Sequence, residues 1–120
     1  MSKTISKTNS TKILSPVDKG RGFHFYAVEG VYTNVTASSL PDFLEQLDGI
    51  DESALLFHYP RGDFQTWIKN VLEDNELADR LCFIKPNIPG EELRKELKRI
   101  VQQRIRELTA IPLGENEKRL

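Results

Sequence analysis

Phe23-His24-Phe25-Tyr26-Ala27-Val28 and, after Glu29-Gly30, Val31-Tyr32-Thr33-Asn34-Val35-Thr36 decide the fold class. Aromatic and β-branched side chains suit a pleated, half-buried surface. Alternation puts Phe23, Phe25 and Ala27 on one face of the first run. Gly30 is a turn position, so the two runs predict a β-hairpin. A lone hairpin is marginal in water, and the sequence around it has to supply helices that cover one face.

The helices are signposted. Ser39 is placed as an N-cap, with Asp42 three residues on and Pro41 tolerated in the first turn. Leu40, Phe43, Leu44 and Leu47 then recur at i, i+3, i+4 and i+7, and Asp48-Gly49 ends the stripe. Residues 52–59 follow a capping Asp51, but Leu55-Leu56-Phe57 fits a helix or a buried strand equally by periodicity. Beyond Pro60-Arg61-Gly62, Asp63 reads as the N-cap of a helix with Phe64, Trp67, Ile68 and Val71 on one side. Asp74 opens a short helix that turns Leu77, Ala78 and Leu81 inward, and Lys85-Pro86-Asn87 breaks it. Asn87 is the cap candidate for a long last helix, with Pro89 in its first turn and Glu91 and Glu92 at its positive pole. Leu93, Leu97, Ile100, Val101, Ile105 and Leu108 form one stripe along it, and Pro112 and Gly114 close it. The pattern predicts an α+β domain, a two-stranded β-hairpin packed with four or five α-helices including a long C-terminal one.

At 120 residues the chain has room for one domain of roughly 100–200 residues. Met1 to Lys19 is rich in Ser, Thr, Lys and Asn, with Ile5, Ile13, Leu14 and Val17 too sparse to offset ordering entropy. The expected organisation is a disordered basic tail over residues 1–22, one globular domain over residues 23–110 and a frayed tail over residues 111–120. Formal charge is −1, but it divides into +4 over residues 1–22, −8 over residues 23–84 and +3 over residues 85–120. An acidic centre between basic ends suits pairing with itself, within a chain or between chains. Cys82 is the single cysteine, which excludes an intramolecular disulfide and a four-cysteine zinc site and suggests a reducing compartment. Apolar runs are far shorter than the ~20 residues of a membrane span, and the start is polar, so the expected setting is cytoplasmic, with no membrane.

Five blocks carry a resemblance: Phe23-His24-Phe25-Tyr26; Thr36-Ala37-Ser38-Ser39-Leu40 with Phe43-Leu44; Leu55-Leu56-Phe57-His58; Arg61-Gly62-Asp63-Phe64 with Trp67-Ile68; and Glu76-Leu77-Ala78. Together they resemble a small prokaryotic family of unknown function, over roughly residues 23–84, with the long helix as a looser match. Asp63-Phe64, Trp67 and Leu77-Ala78 are the most specific part. The departures are Ala54, where that family has Ser, and Glu73, where it has Gly. The resemblance implies a helix through His58 and brings no activity with it.

His58 with Asp63 is the leading polar constellation, because helix ends around Arg61 can bring an imidazole, a carboxylate and a guanidinium together. Such a corner serves as an acid–base pair or faces a phosphate; the plainer alternative is an Asp63 cap with His58 bonded to a nearby carbonyl. His24, on the strand, is a second imidazole, but two histidines are a poor metal set and no metal or cofactor is expected. Trp67 lies on an apolar stripe and reads as core; Cys82 has no basic neighbour in sequence and reads as a buried thiol. Arg94, Lys98 and Arg104 on the last helix are the candidate partner surface, diluted for nucleic acid by Glu92, Glu96 and Glu107.

No catalytic residue is assigned. The leading expectation is a small non-enzymatic interaction or regulatory module, with self-association as one mode, since so long an apolar stripe can exceed what a small domain covers. The alternatives are a nucleic-acid accessory protein using the basic tail and last helix, and a small enzyme or ligand-binding domain centred on His58 and Asp63. An open hollow lined by His58 beside other converging polar groups would favour the last.

Overall fold

The computed structural model describes residues 7–27 and 30–114. Two strands, β1 (Phe23–Ala27) and β2 (Val31–Ala37), pair antiparallel. Among the described residues six α-helices pack around them: α1 (Lys7–Leu14), α2 (Leu40–Gly49), α3 (Glu52–Arg61), α4 (Asp63–Trp67, continuing as a π-helical turn over Ile68–Leu72), α5 (Asn75–Leu81) and α6 (Gly90–Gly114). The fold is α+β, a hairpin with helices, as the two β-rich runs predict. Val28 and Glu29, read as strand end and turn, lie outside the described residues.

Register explains the hairpin's shape. Phe25 faces Val35, whereas the next residue, Tyr26, faces Tyr32, so Thr33 and Asn34 bulge out of β2. Asn34 takes the left-handed conformation there (φ 70°), which Asn tolerates. Thr33 Oγ1 donates to the Phe25 carbonyl, tying the bulge to its partner strand. Phe23 and Phe25 are buried and Tyr26 is exposed, as alternation requires. Gly22, just before β1, is a close-approach glycine: a Cβ would sit 2.7 Å from the Ala37 carbonyl oxygen.

Phe23, Phe25, Phe43, Phe64 and Trp67 form an aromatic core with ring centroids 4.9–6.3 Å apart. Trp67 is core, as its stripe predicts, and its Nε1–H donates to the Arg21 carbonyl at 2.8 Å. Leu93, Leu97, Ile100, Val101 and Leu108 of α6 are buried, and Ile105 is half-buried against them. The long apolar stripe is therefore covered by this chain's own helices through Leu108, and the reason for expecting a partner there disappears.

Part of that cover comes from a segment read as tail. α1 packs against α6, with Ile13 buried and Leu14 and Val17 against the core, and the Val17 N–H donates to the Ser38 carbonyl at 2.7 Å. The disordered tail over residues 1–22 is thus corrected for residues 7–22: Ile13 and Leu14 pack the end of α1 against the core, and Val17, just beyond the helix, anchors the chain that leads to β1. This segment supplies the sixth helix. Residues 1–6 lie outside the described residues. At the other end α6 reaches Gly114, so the frayed tail expected over residues 111–120 does not begin at 111; residues 115–120 are not described.

The start signals fare unevenly. Ser39 Oγ accepts from the Asp42 N–H, as the capping box requires, while Asp42 Oδ2 accepts from the Ser38 N–H rather than from the cap residue's own. Residues 52–59 are helical, capped by Asp51, and α3 runs through Pro60 to a left-handed Gly62 (φ 75°) whose N–H donates to the His58 and Tyr59 carbonyls. Asp63 does not cap α4: Gly62 holds that position and Asp63 is the first helical residue. Asn87 is left-handed (φ 59°) and precedes α6, which starts only at Gly90.

Candidate functional site

Once Asp63 is inside α4, its carboxylate is available to its neighbours. Asp63 Oδ2 accepts from His58 Nδ1–H at 2.8 Å and from Arg61 Nε–H at 2.9 Å. His58, Arg61 and Asp63 thus come together, as their grouping in the sequence anticipates. The plainer pairing, an Asp63 cap with His58 on a carbonyl, is not what forms.

His58 is more deeply engaged than its sequence position suggests. Its other nitrogen, Nε2, accepts the backbone N–H of Tyr26 at 2.8 Å. A backbone amide can only donate, so Nε2 is unprotonated and the neutral ring carries its proton on Nδ1, pointing at Asp63. His58 is buried, its ring 4.7 Å from Phe23 and 5.5 Å from Phe64 between centroids. Burial pushes its pKa below the ordinary histidine value, against the upward pull of Asp63. Asp63 is shifted down: its partial burial raises it, and the hydrogen bonds from His58 and Arg61 outweigh that. The imidazole thus ties β1, through Tyr26, to the first turn of α4.

Arg61 completes the corner. Its guanidinium lies over the Phe57 ring, 4.7 Å from the centroid, with Nε on Asp63. Among the described residues its terminal amino groups have no hydrogen-bond partner. An open hollow of about 400 Å³ begins here, lined by Arg61, Asp63, His58 and Phe57 on one side and by Gly22, Phe23, His24, Tyr26 and Gly30 on the other. His24 and His58 line the same hollow. His24 Nδ1 shares a hydrogen bond with Thr36 Oγ1 at 2.8 Å, and Tyr32 OH meets that hydroxyl at 2.7 Å. Among the described residues no group of three or more His, Cys, Asp or Glu is arranged to hold a metal ion.

The basic candidates on α6 are distributed differently. Arg94 donates from Nη1 to the Leu47 carbonyl at 2.6 Å, and Lys98 pairs with Asp48, so both sit at the negative pole of α2. Arg104 is corrected outright, being buried at 4% exposure. It makes a two-pronged pair with Asp74, Nε to Oδ2 at 2.9 Å and Nη2 to Oδ1 at 3.0 Å, and Asp74 itself is 2% exposed. Nη1 of Arg104 reaches Glu107 at 3.1 Å, and Arg80 grips that carboxylate from the other side with two bonds at 2.8 and 3.1 Å. Asp74 Oδ1 also accepts the Leu77 N–H and caps α5. Sequence carried a signal for this network: Arg104 lies four residues after Ile100 and three after Val101, on the apolar face of α6.

A family model matches residues 59–120, from the last turn of α3 to the chain end. The chain belongs to this family of unknown function, DUF5752. The match contains Arg61, Asp63 and the Asp74–Arg104 network, and leaves His24, His58 and the hairpin outside it; of the five resembling blocks, only the last two fall within it. No curated protein and no solved structure matches the chain.

Cys82 departs from its expectation of burial: it is exposed just beyond α5, and its neighbour Phe83 is 86% exposed. Tyr59, which nothing in the sequence singled out, donates its hydroxyl hydrogen to the Leu81 and Ile84 carbonyls (2.8 and 2.9 Å) and secures the end of α5; burial raises its pKa. Among the described residues no helix is long and apolar enough to cross a membrane.

Proposed function

We propose that the protein is a small non-catalytic recognition module whose working face is the hollow between β1 and the α3–α4 junction. One observation carries this reading: both ring nitrogens of His58 are engaged, while Arg61 beside it keeps two amino groups without partners among the described residues, at the lip of the hollow. A general base needs an unshared nitrogen within reach of a substrate proton. His58 offers none, so the composition of an acid–base corner here serves to fix the wall of a binding site. Interaction or regulation by a bound molecule fits this better than turnover.

The basic-tail reading has weaker support, because Arg94, Lys98 and Arg104 each have an intramolecular carboxylate or carbonyl partner. Self-association keeps a specific motive at the hairpin: Tyr26, Val31 and Tyr32 are exposed large side chains on β1 and β2, with the two tyrosine rings 5.3 Å apart.

A fragment screen read by amide chemical shifts tests the proposal. Bound molecules are expected to move the amides of residues 22–26 and 57–63. A screen whose hits all fall elsewhere, or a turnover that His58→Gln abolishes without unfolding the protein, would overturn it.

A further inference from the structure

The hollow's walls narrow the class of ligand, and this step rests on the recognition reading above. We infer that the site takes a flat organic anion: a planar apolar or aromatic body carrying a carboxylate or phosphate. The charge is assigned by Arg61. Its guanidinium is fixed in plane by the Phe57 ring at 4.7 Å and by Asp63 at 2.9 Å, and its two amino groups remain without partners among the described residues. A held fork of this kind matches two oxygens of a carboxylate or phosphate. Asp63 stays a carboxylate beside Nε, so the anion is recognised through the directed hydrogens of the two amino groups rather than through net charge.

His24 stands on the opposite wall and donates from Nε2 in the tautomer in which the Thr36 hydroxyl donates to Nδ1. Thr36 holds its Nδ1 at 2.8 Å, and Nε2 has no partner among the described residues. The flat body is assigned by the remaining surface. The aromatic side chains of Phe57 and Tyr26 line the hollow, and Gly22 contributes backbone. About 400 Å³ exceeds what a bare oxyanion requires and suits a single ring with its substituents.

The test uses the full chain labelled with ¹⁵N, titrated with benzoate, phenyl phosphate, benzyl alcohol and inorganic phosphate. Benzoate and phenyl phosphate are expected to shift the amides of residues 22–26 and 57–63, and Arg61→Gln is expected to weaken both at least tenfold. Benzyl alcohol is expected to bind weakly and to be indifferent to that substitution. His24→Gln gives a second variant, expected to weaken the anions several-fold. Benzyl alcohol binding as well as benzoate would overturn the charge assignment and leave the recognition reading standing. Inorganic phosphate binding as tightly as phenyl phosphate would overturn the flat body. If none of the four moves those amides, the ligand class is wrong; the recognition reading then stands or falls on the broader fragment screen.

Discussion

Two places in this molecule set an aspartate against an arginine near the start of a helix, and their surroundings give them opposite roles. Asp74 with Arg104 lies sealed between α5 and α6, both residues under 5% exposed, with Glu107 and Arg80 extending the network. Asp63 with Arg61 lies at the lip of an open hollow, and Arg61 is exposed. In the sealed pair both of the carboxylate's oxygens accept from the arginine, and the guanidinium is satisfied by carboxylates on two sides. In the open pair only Nε is held. Burial without spare donors makes a fastener; partial exposure with spare donors is what the proposed recognition site draws on.

The largest effect is expected where the contrast is sharpest. Arg104→Ala strands Asp74 as a buried, unpaired charge and should cost about 3–5 kcal/mol in denaturant unfolding. Replacing both together, Asp74→Asn with Arg104→Met, keeps the α5 cap and removes both charges, and should cost much less than the single change. If the double variant is as unstable as the single one, unpaired charge is not the cause. His58→Ala comes next. It removes the acceptor of the part-buried Tyr26 N–H, a loss of up to about 1–3 kcal/mol.

The same histidine predicts a pH dependence that separates the two regions. Its folded pKa lies below the ordinary value near 6.5 that the unfolded chain has. As pH falls, the unfolded chain takes up this proton first. The His58 contribution is therefore complete above about 6.5 and is lost from there down to its lower folded value. Melting curves between pH 8 and 5 should show this fall in wild type and not in His58→Gln.

Smaller effects lie outside both pairs or on their surface. Glu73 is left-handed (φ 63°) between the π-helical turn and the Asp74 cap, a conformation that costs a residue with a Cβ roughly 1–2 kcal/mol. Glu73→Gly should gain up to about 1 kcal/mol in unfolding free energy, since the exposed pair it loses with Lys12 contributes little. Arg61→Gln should move stability by less than about 0.5 kcal/mol while removing anion binding. A large loss of stability there would place Arg61 with the fasteners.

Much of this was legible in the residues. The β-rich runs around Gly30 gave the hairpin, and the Ser39 and Asp74 caps and the apolar stripes gave helix positions. Glu73 stands where the resembling family has Gly, and its positive φ supplies the reason. Three things were hidden for physical reasons. α1 depends on tertiary cover, since Ile13 and Leu14 are too few to hold a helix without α6. Asp63 reads as a cap by spacing alone, and only the left-handed Gly62, which ends α3 and opens α4 together, moves it inside the helix. The Tyr26–His58 bond joins residues 32 apart in sequence and uses a backbone donor, which leaves no mark on residue type.

The central claim is that His58 is a neutral fastener at the edge of the proposed binding hollow. Long-range ¹H–¹⁵N correlation of its imidazole measures this directly. The structure predicts a protonated Nδ1 and an unprotonated Nε2 from pH 8 down into the acid limb of the melting curve. A proton on Nε2 at neutral pH, or a ring exchanging freely between the two tautomers, would contradict it and return His58 to the candidates for acid–base chemistry.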